Sequence, residues 1–119
     1  MPNHSLALDQ VFHALADPTR RAVVERLTQG PASVSELARP FRMALPTILQ
    51  HLQVLEASGL VRSEKAGRVR TCSLQRPAME QAGEWIAHQR AVWEGRLDRL
   101  DAYLLELQAQ EGSSDDKPG

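Results

Sequence analysis

A chain of 119 residues, 42% hydrophobic and 24% charged with a net charge of -1, has the composition of an ordinary globular core, and because one core takes about 100 to 150 residues it excludes a large multidomain enzyme. Only Phe12, Phe41, Trp85, Trp93 and Tyr103 are aromatic, which speaks against aromatic-rich β-sandwiches and stacking platforms for single strands. The lone cysteine, Cys72, closes no intramolecular disulfide and builds no thiolate metal site, so the expected compartment is the reducing cytoplasm.

Leu8, Val11, Phe12 and Leu15 fall at i, i+3, i+4 and i+7 and predict a first helix over 6–15 with Ser5 as N-cap. Asp17-Pro18, an N-cap followed by proline, starts a second helix that runs to Gln29 ahead of Gly30. Arg20 and Arg21 read either as an anion site or as a surface face on which Arg21 pairs with Glu25. Val34, Leu37, Ala38 and Phe41 give a short third helix over 33–39, stopped by Pro40. A tight turn leads to a fourth over 45–58, with Pro46 in its first turn and Gly59 closing it.

Two extended runs, 60–65 and 69–74, flank Ala66-Gly67-Arg68 and predict a β-hairpin. Pro77 opens a last helix reaching Gln110, where Trp93, Leu97, Leu100, Leu104 and Leu107, extended backward by Ile86, recur at heptad spacing. Such a stripe is buried against its own domain or a second copy, and the second copy is favoured. Residues 111–119 read as a disordered tail behind a single domain over 1–110. The N-terminus lacks the basic and apolar regions of a signal peptide, and no stretch approaches the roughly 18 apolar residues of a membrane span.

The net charge hides an asymmetry. Residues 31–76 carry seven basic and three acidic side chains, whereas 77–119 carry four basic and nine acidic. A basic middle in an acidic whole fits a polyanion-binding face, although surface charge also fluctuates without function. Within that middle, helix, turn and helix form a helix-turn-helix, whose second helix enters the major groove of DNA. On this helix Ile48, Leu52 and Leu55 point to the core, with Leu45 beside them, and Thr47, Gln50, Gln53 and Val54 point outward. Gln can pair bidentately with adenine and Thr can meet thymine, so direct readout is chemically available; solvated residues on an amphipathic helix are the plainer account. Arg62, Lys65, Arg68 and Arg70 place cations on the hairpin, a wing able to reach phosphates or a minor groove.

The order Asp17-Pro18-Thr19-Arg20-Arg21, Ser35-Glu36-Leu37-Ala38, Pro46-Thr47-Ile48-Leu49-Gln50-His51-Leu52, Leu55-Glu56-Ala57-Ser58-Gly59-Leu60-Val61 and Gly67-Arg68-Val69-Arg70 resembles the ArsR family of bacterial winged helix-turn-helix repressors over about residues 8–108. The resemblance implies a mainly α fold with a small β-hairpin wing and long N- and C-terminal dimerisation helices. It further implies a homodimer joined through the first and last helices, Leu8 and Phe12 with the Trp93–Leu107 seam, on a two-fold operator of double-stranded DNA. Two positions depart from the family pattern: Ala44 leaves the reading helix without a strong N-cap, at a cost of roughly 1 kcal/mol, and Leu49 either packs inward or touches a thymine methyl. His51 matches the pattern and reads as a phosphate donor or as a structural histidine.

Metal sensing, the family's best-known activity, lacks its ligands here. Ser33 and Ser35 stand where thiolate sensors carry cysteines, and His88 with Glu84 is a poor basis for a last-helix site. Cys72 is either a redox switch beside Arg70 or a small apolar filler. Phosphate-binding glycine loops, a GxSxG elbow and zinc-spaced histidines are all missing, so no enzyme and no cofactor are expected. The expected function is a sequence-specific, cytoplasmic transcriptional repressor; the alternative is a winged-helix module that binds a partner protein without specific DNA binding.

Overall fold

The structure, a computed structural model, describes residues 3–115. The elements in order are α1 (Asn3–Leu15), α2 (Pro18–Leu27), β1 (Ala32–Ser33), α3 (Val34–Ala38), α4 (Leu45–Ala57), β2 (Val61–Ala66), β3 (Val69–Leu74) and α5 (Arg76–Asp115). The chain divides into two units, 1–83 and 84–119. The mainly helical fold with a small antiparallel sheet is the winged helix-turn-helix architecture expected.

In the first unit, local chemistry sets each boundary. Asp17 caps α2 by accepting from the Arg20 N–H at 3.0 Å, with Pro18 inside the first turn. Ser33 and Glu36 form a reciprocal capping box on α3: the Glu36 N–H donates to Ser33 Oγ at 3.1 Å, and the Ser33 N–H to Glu36 Oε1 at 3.2 Å. Gly59 turns the chain out of α4 at φ 83°, a left-handed conformation that glycine adopts freely. Helices α1 to α4 and the sheet close over Val11, Val23, Leu37, Ile48, Leu55, Leu60 and Cys72, all fully buried. Ala78 and Ala82 of the first turns of α5 are buried with them.

Several expectations are corrected. Ser5 lies inside α1, which begins at Asn3, rather than capping it. α2 stops at Leu27, short of Gln29. Arg21 donates to the Leu15 carbonyl at 2.8 Å rather than pairing with Glu25; with Arg20 it satisfies the carboxyl end of α1, where orphan carbonyls and the helix dipole favour cations. A strand at Ala32–Ser33 joins the hairpin, giving a three-stranded sheet in the order β1-β3-β2 with Ala32 opposite Cys72.

The second unit is the remainder of α5. The helix extends through Asp115, beyond the Gln110 expected from the sequence; residues 116–119 of the expected disordered tail lie outside the described residues. No described side chain from 84 to 112 is buried. Among the described residues no helix is long and apolar enough to cross a membrane.

Candidate nucleic-acid interface

The helix after the turn, α4, divides cleanly between an inner and an outer face. Ile48, Leu52 and Leu55 are buried, while Thr47, Gln50 and Gln53 are exposed, so polar hydrogen-bonding groups line the accessible side near the amino end. Leu45, expected beside the core-facing side chains and also a DNA-binding candidate, is corrected on the first point: at the amino end of α4 it is 54% exposed, on the side of Thr47 and Gln50. Val54 is corrected: it is half-buried against the core rather than outward. Leu49 likewise packs against the core, which favours its inward reading. Ala44 occupies the N-cap with no side-chain hydrogen bond. Pro46 in the first turn has no N–H, and the Thr47 and Ile48 N–H groups donate to the Ala44 carbonyl at 3.0 and 3.3 Å, so the backbone closes the amino end of α4 without a side-chain cap.

The hairpin follows directly. β2 and β3 pair antiparallel with Lys65 opposite Arg70 and Ala66 opposite Val69, leaving Gly67 and Arg68 as the loop. Gly67 takes φ 63°, the glycine-first pattern of a type II′ turn. Lys65, Arg68 and Arg70 are exposed and make no salt bridge among the described residues, whereas Arg62 pairs with Glu64 at 3.3 Å. Two like charges placed opposite one another on a ribbon repel, and an incoming polyanion relieves that repulsion. Arg68 and Arg70 border, with Leu45 and Leu49, a concavity of about 300 Å³ between the wing and the amino end of α4.

The base of the wing is fastened to the reading helix. Leu60 and Val61 are buried, the Gln75 N–H donates to the Leu60 carbonyl at 2.7 Å, and Ser63 Oγ donates to the Glu56 carboxylate. Ser58, buried at the end of α4, donates to the Leu55 carbonyl at 2.7 Å and accepts from the Leu60 N–H at 3.2 Å. Wing and helix are thus presented as one piece.

His51 sits apart from the exposed ridge of Thr47 and Gln50. Its side chain is only 18% exposed, with Nδ1 3.8 Å from Asp17 Oδ2 and 3.3 Å from Arg20 Nη1. The hydrogen bond from the Arg20 backbone N–H, with the nearby Arg20 charge, holds the Asp17 carboxyl below the usual carboxylate range against a weaker opposing effect of burial. Cys72 is fully buried, and burial, reinforced by Glu56, pushes its thiol up despite Arg70. That environment suits an apolar filler and does not support a redox switch. Among the described residues no group of three or more His, Cys, Asp or Glu is disposed to hold a metal ion.

The residues assigned to dimerisation fall into two sets. Leu8 and Phe12 on α1 are half-buried, and Phe12 packs on the core of its own chain. Trp93, Leu97, Leu100, Leu104 and Leu107 are 62%, 43%, 52%, 47% and 37% exposed, with Ile86 at 46%. Val92, Tyr103 and Leu105, which fall off the heptad spacing, are exposed as well and widen the apolar surface of this helix.

Comparison with known proteins places this geometry in a family. Residues 15–64 match the helix-turn-helix domain family. The HTH-type transcriptional regulator Rv2034 of Mycobacterium tuberculosis is 48% identical over 66 residues, a match that spans 56% of this chain and 62% of that regulator's length. The crystal structure of an ArsR family transcriptional regulator is 51% identical with a TM-score of 0.73, covering 76% of this chain and 93% of the other. The homodimeric winged helix-turn-helix DNA-binding domain Mb0332 from Mycobacterium bovis is 27% identical with a TM-score of 0.56, covering 78% of this chain and 83% of that fragment. The chain belongs to the ArsR family of winged helix-turn-helix transcriptional regulators.

Proposed function

We propose that this regulator is a cytoplasmic homodimeric repressor that reads a two-fold operator, with α4 in the major groove and the wing on the phosphate backbone. The observation that carries the reading is the exposure of Thr47 and Gln50 on the helix after the turn, beside three cations of the adjoining hairpin that no carboxylate neutralises among the described residues. Thr47 and Gln50 are the base-reading candidates, and Lys65, Arg68, Arg70 and Arg62 the phosphate-binding ones. The homodimer is supported by the exposed heptad stripe of α5 and by the homodimeric Mycobacterium bovis domain. A dimer seated across a promoter excludes polymerase by occupancy, which makes repression the simplest regulatory outcome.

The test is a binding titration on duplexes enriched from a random pool by the protein itself, at two salt concentrations. Neutralising several phosphates makes affinity fall steeply as salt rises. Gln50→Ala is expected to relax base preference, by about 1–3 kcal/mol of discrimination, and Arg68→Ala to weaken all duplexes alike and lower the salt slope by about one. Equal, sequence-independent losses from both would refute that division. The exposed stripe of α5 is also the observation that favours the alternative, a module docking a partner protein; failure to enrich any duplex would favour it.

A further inference from the structure

The Arg20 side chain, on α2, reaches both α1 and α4. Its Nε donates to the Ala14 carbonyl at 2.8 Å and its Nη2 to the His13 carbonyl at 3.1 Å, while Nη1 lies 3.3 Å from Nδ1 of His51 on α4. The Asp17 carboxylate that caps α2 holds the backbone N–H of the same Arg20. From the first turn of α2, one guanidinium therefore spans the carboxyl end of α1 and the middle of α4.

The chemistry of the pair is directional. Arginine has five N–H donors and no acceptor, so the 3.3 Å approach is a hydrogen bond only when Nδ1 carries its lone pair and the proton sits on Nε2. A lysine in place of Arg20 has a single nitrogen and no planar fork with which to reach carbonyls on one helix and an imidazole on another. His51 follows Gln50 directly, so whatever fixes the azimuth and depth of α4 at His51 fixes them for the neighbouring reading side chain. Base-edge hydrogen bonds need distances of about 2.7–3.2 Å and near-linear angles, so they depend on the placement of α4, whereas phosphate contacts carry no sequence information.

We propose that Arg20 and His51 are positioning residues for sequence reading: the guanidinium clamps α4 against the end of α1 through the His51 Nδ1 lone pair, and its loss degrades base selectivity rather than phosphate binding. The proposal rests on the DNA-reading function above and assigns to the clamp neither a base contact nor a phosphate contact.

The experiment uses the full chain and a duplex that wild-type protein enriches from a random pool, with a scrambled duplex of equal length as reference. Arg20→Lys and His51→Leu are expected to lower the ratio of enriched to scrambled affinity on the order of tenfold, leaving the scrambled affinity and the salt slope unchanged. His51→Asn, whose side-chain oxygen stands close to where Nδ1 stood, is expected to restore most of the ratio. Far-UV dichroism and melting temperature accompany each variant; should Arg20→Lys not fold, the His51→Leu and His51→Asn pair decides. Unchanged ratios, equal losses on both duplexes with a shallower salt slope, or no rescue by His51→Asn would each overturn the positioning role. A wild-type protein that enriches no duplex would overturn the DNA-reading function first, and the positioning role with it.

Discussion

Residues 6–83 and residues 84–112 use apolar side chains in opposite ways. In the first stretch Val11, Val23, Leu37, Ile48 and Leu55 are buried, and the surface left over is polar at α4 and cationic at the wing. In the second, Trp93, Leu97, Leu100 and Leu104 recur at heptad spacing and stay more than 40% exposed. The first stretch satisfies its hydrophobic pattern within one chain; the second has a pattern that one chain leaves open. Contiguous exposed apolar surface of that kind marks an association site.

Substitution separates the two regimes. Leu55→Ala removes a fully buried side chain and is expected to cost about 3 kcal/mol of unfolding free energy. Leu104→Ala should leave the unfolding of dilute protein nearly unchanged, and similar losses for both would show that α5 beyond its first turns belongs to the same cooperative core. Leu97→Glu combined with Leu104→Glu is expected to convert the dimer to folded monomer in sedimentation velocity, since it sets like charges on a heptad seam; a retained dimer would move the interface elsewhere. Ser33→Ala removes the capping-box hydroxyl of α3 and should cost about 1 kcal/mol, measured by urea titration.

The smallest expected effect is on pH dependence. Hydrogen bonds from the Arg20 N–H to Asp17, and from the Ser33 N–H and hydroxyl to Glu36, hold both carboxyls below their ordinary values. Depressed carboxyls bind fewer protons folded than unfolded, so their stabilisation is present above the ordinary carboxylate range and is lost as pH falls through the folded values. Asp17→Asn keeps a capping oxygen without the titration, and its urea midpoint should fall less than that of wild type between pH 6 and pH 3. Parallel curves would remove Asp17 from the account.

The helices and the hairpin were legible because their signals are local: proline in the first turn of α2 and α4, glycine at Gly59 and Gly67, and period-3.6 stripes over Ile48, Leu52 and Leu55. The exposure of Thr47 and Gln50 followed from the same periodicity. Tertiary placement defeated the rest. The two-residue strand Ala32–Ser33 is shorter than any alternating pattern can reveal and exists because β3 offers it an edge. Arg21 faces the open carbonyls of α1 instead of Glu25, since a helix end one turn away in space outcompetes an exposed i, i+4 pair. Val54 sits where the wheel points to solvent, yet it is half-buried against the core. The Ser33 and Glu36 box has the local S-x-x-E spacing of a capping box, a signal that lies beside the apolar stripe of α3.

Hydroxyl-radical footprinting of the enriched duplex tests the central claim most directly. Two identical reading helices with wings should protect two symmetric backbone patches centred about 34–36 Å apart, one turn of B-DNA, with both patches lost together in Leu97→Glu combined with Leu104→Glu. A single patch, or protection that survives the loss of the dimer unchanged, would contradict a paired reader built on α4 and the wing.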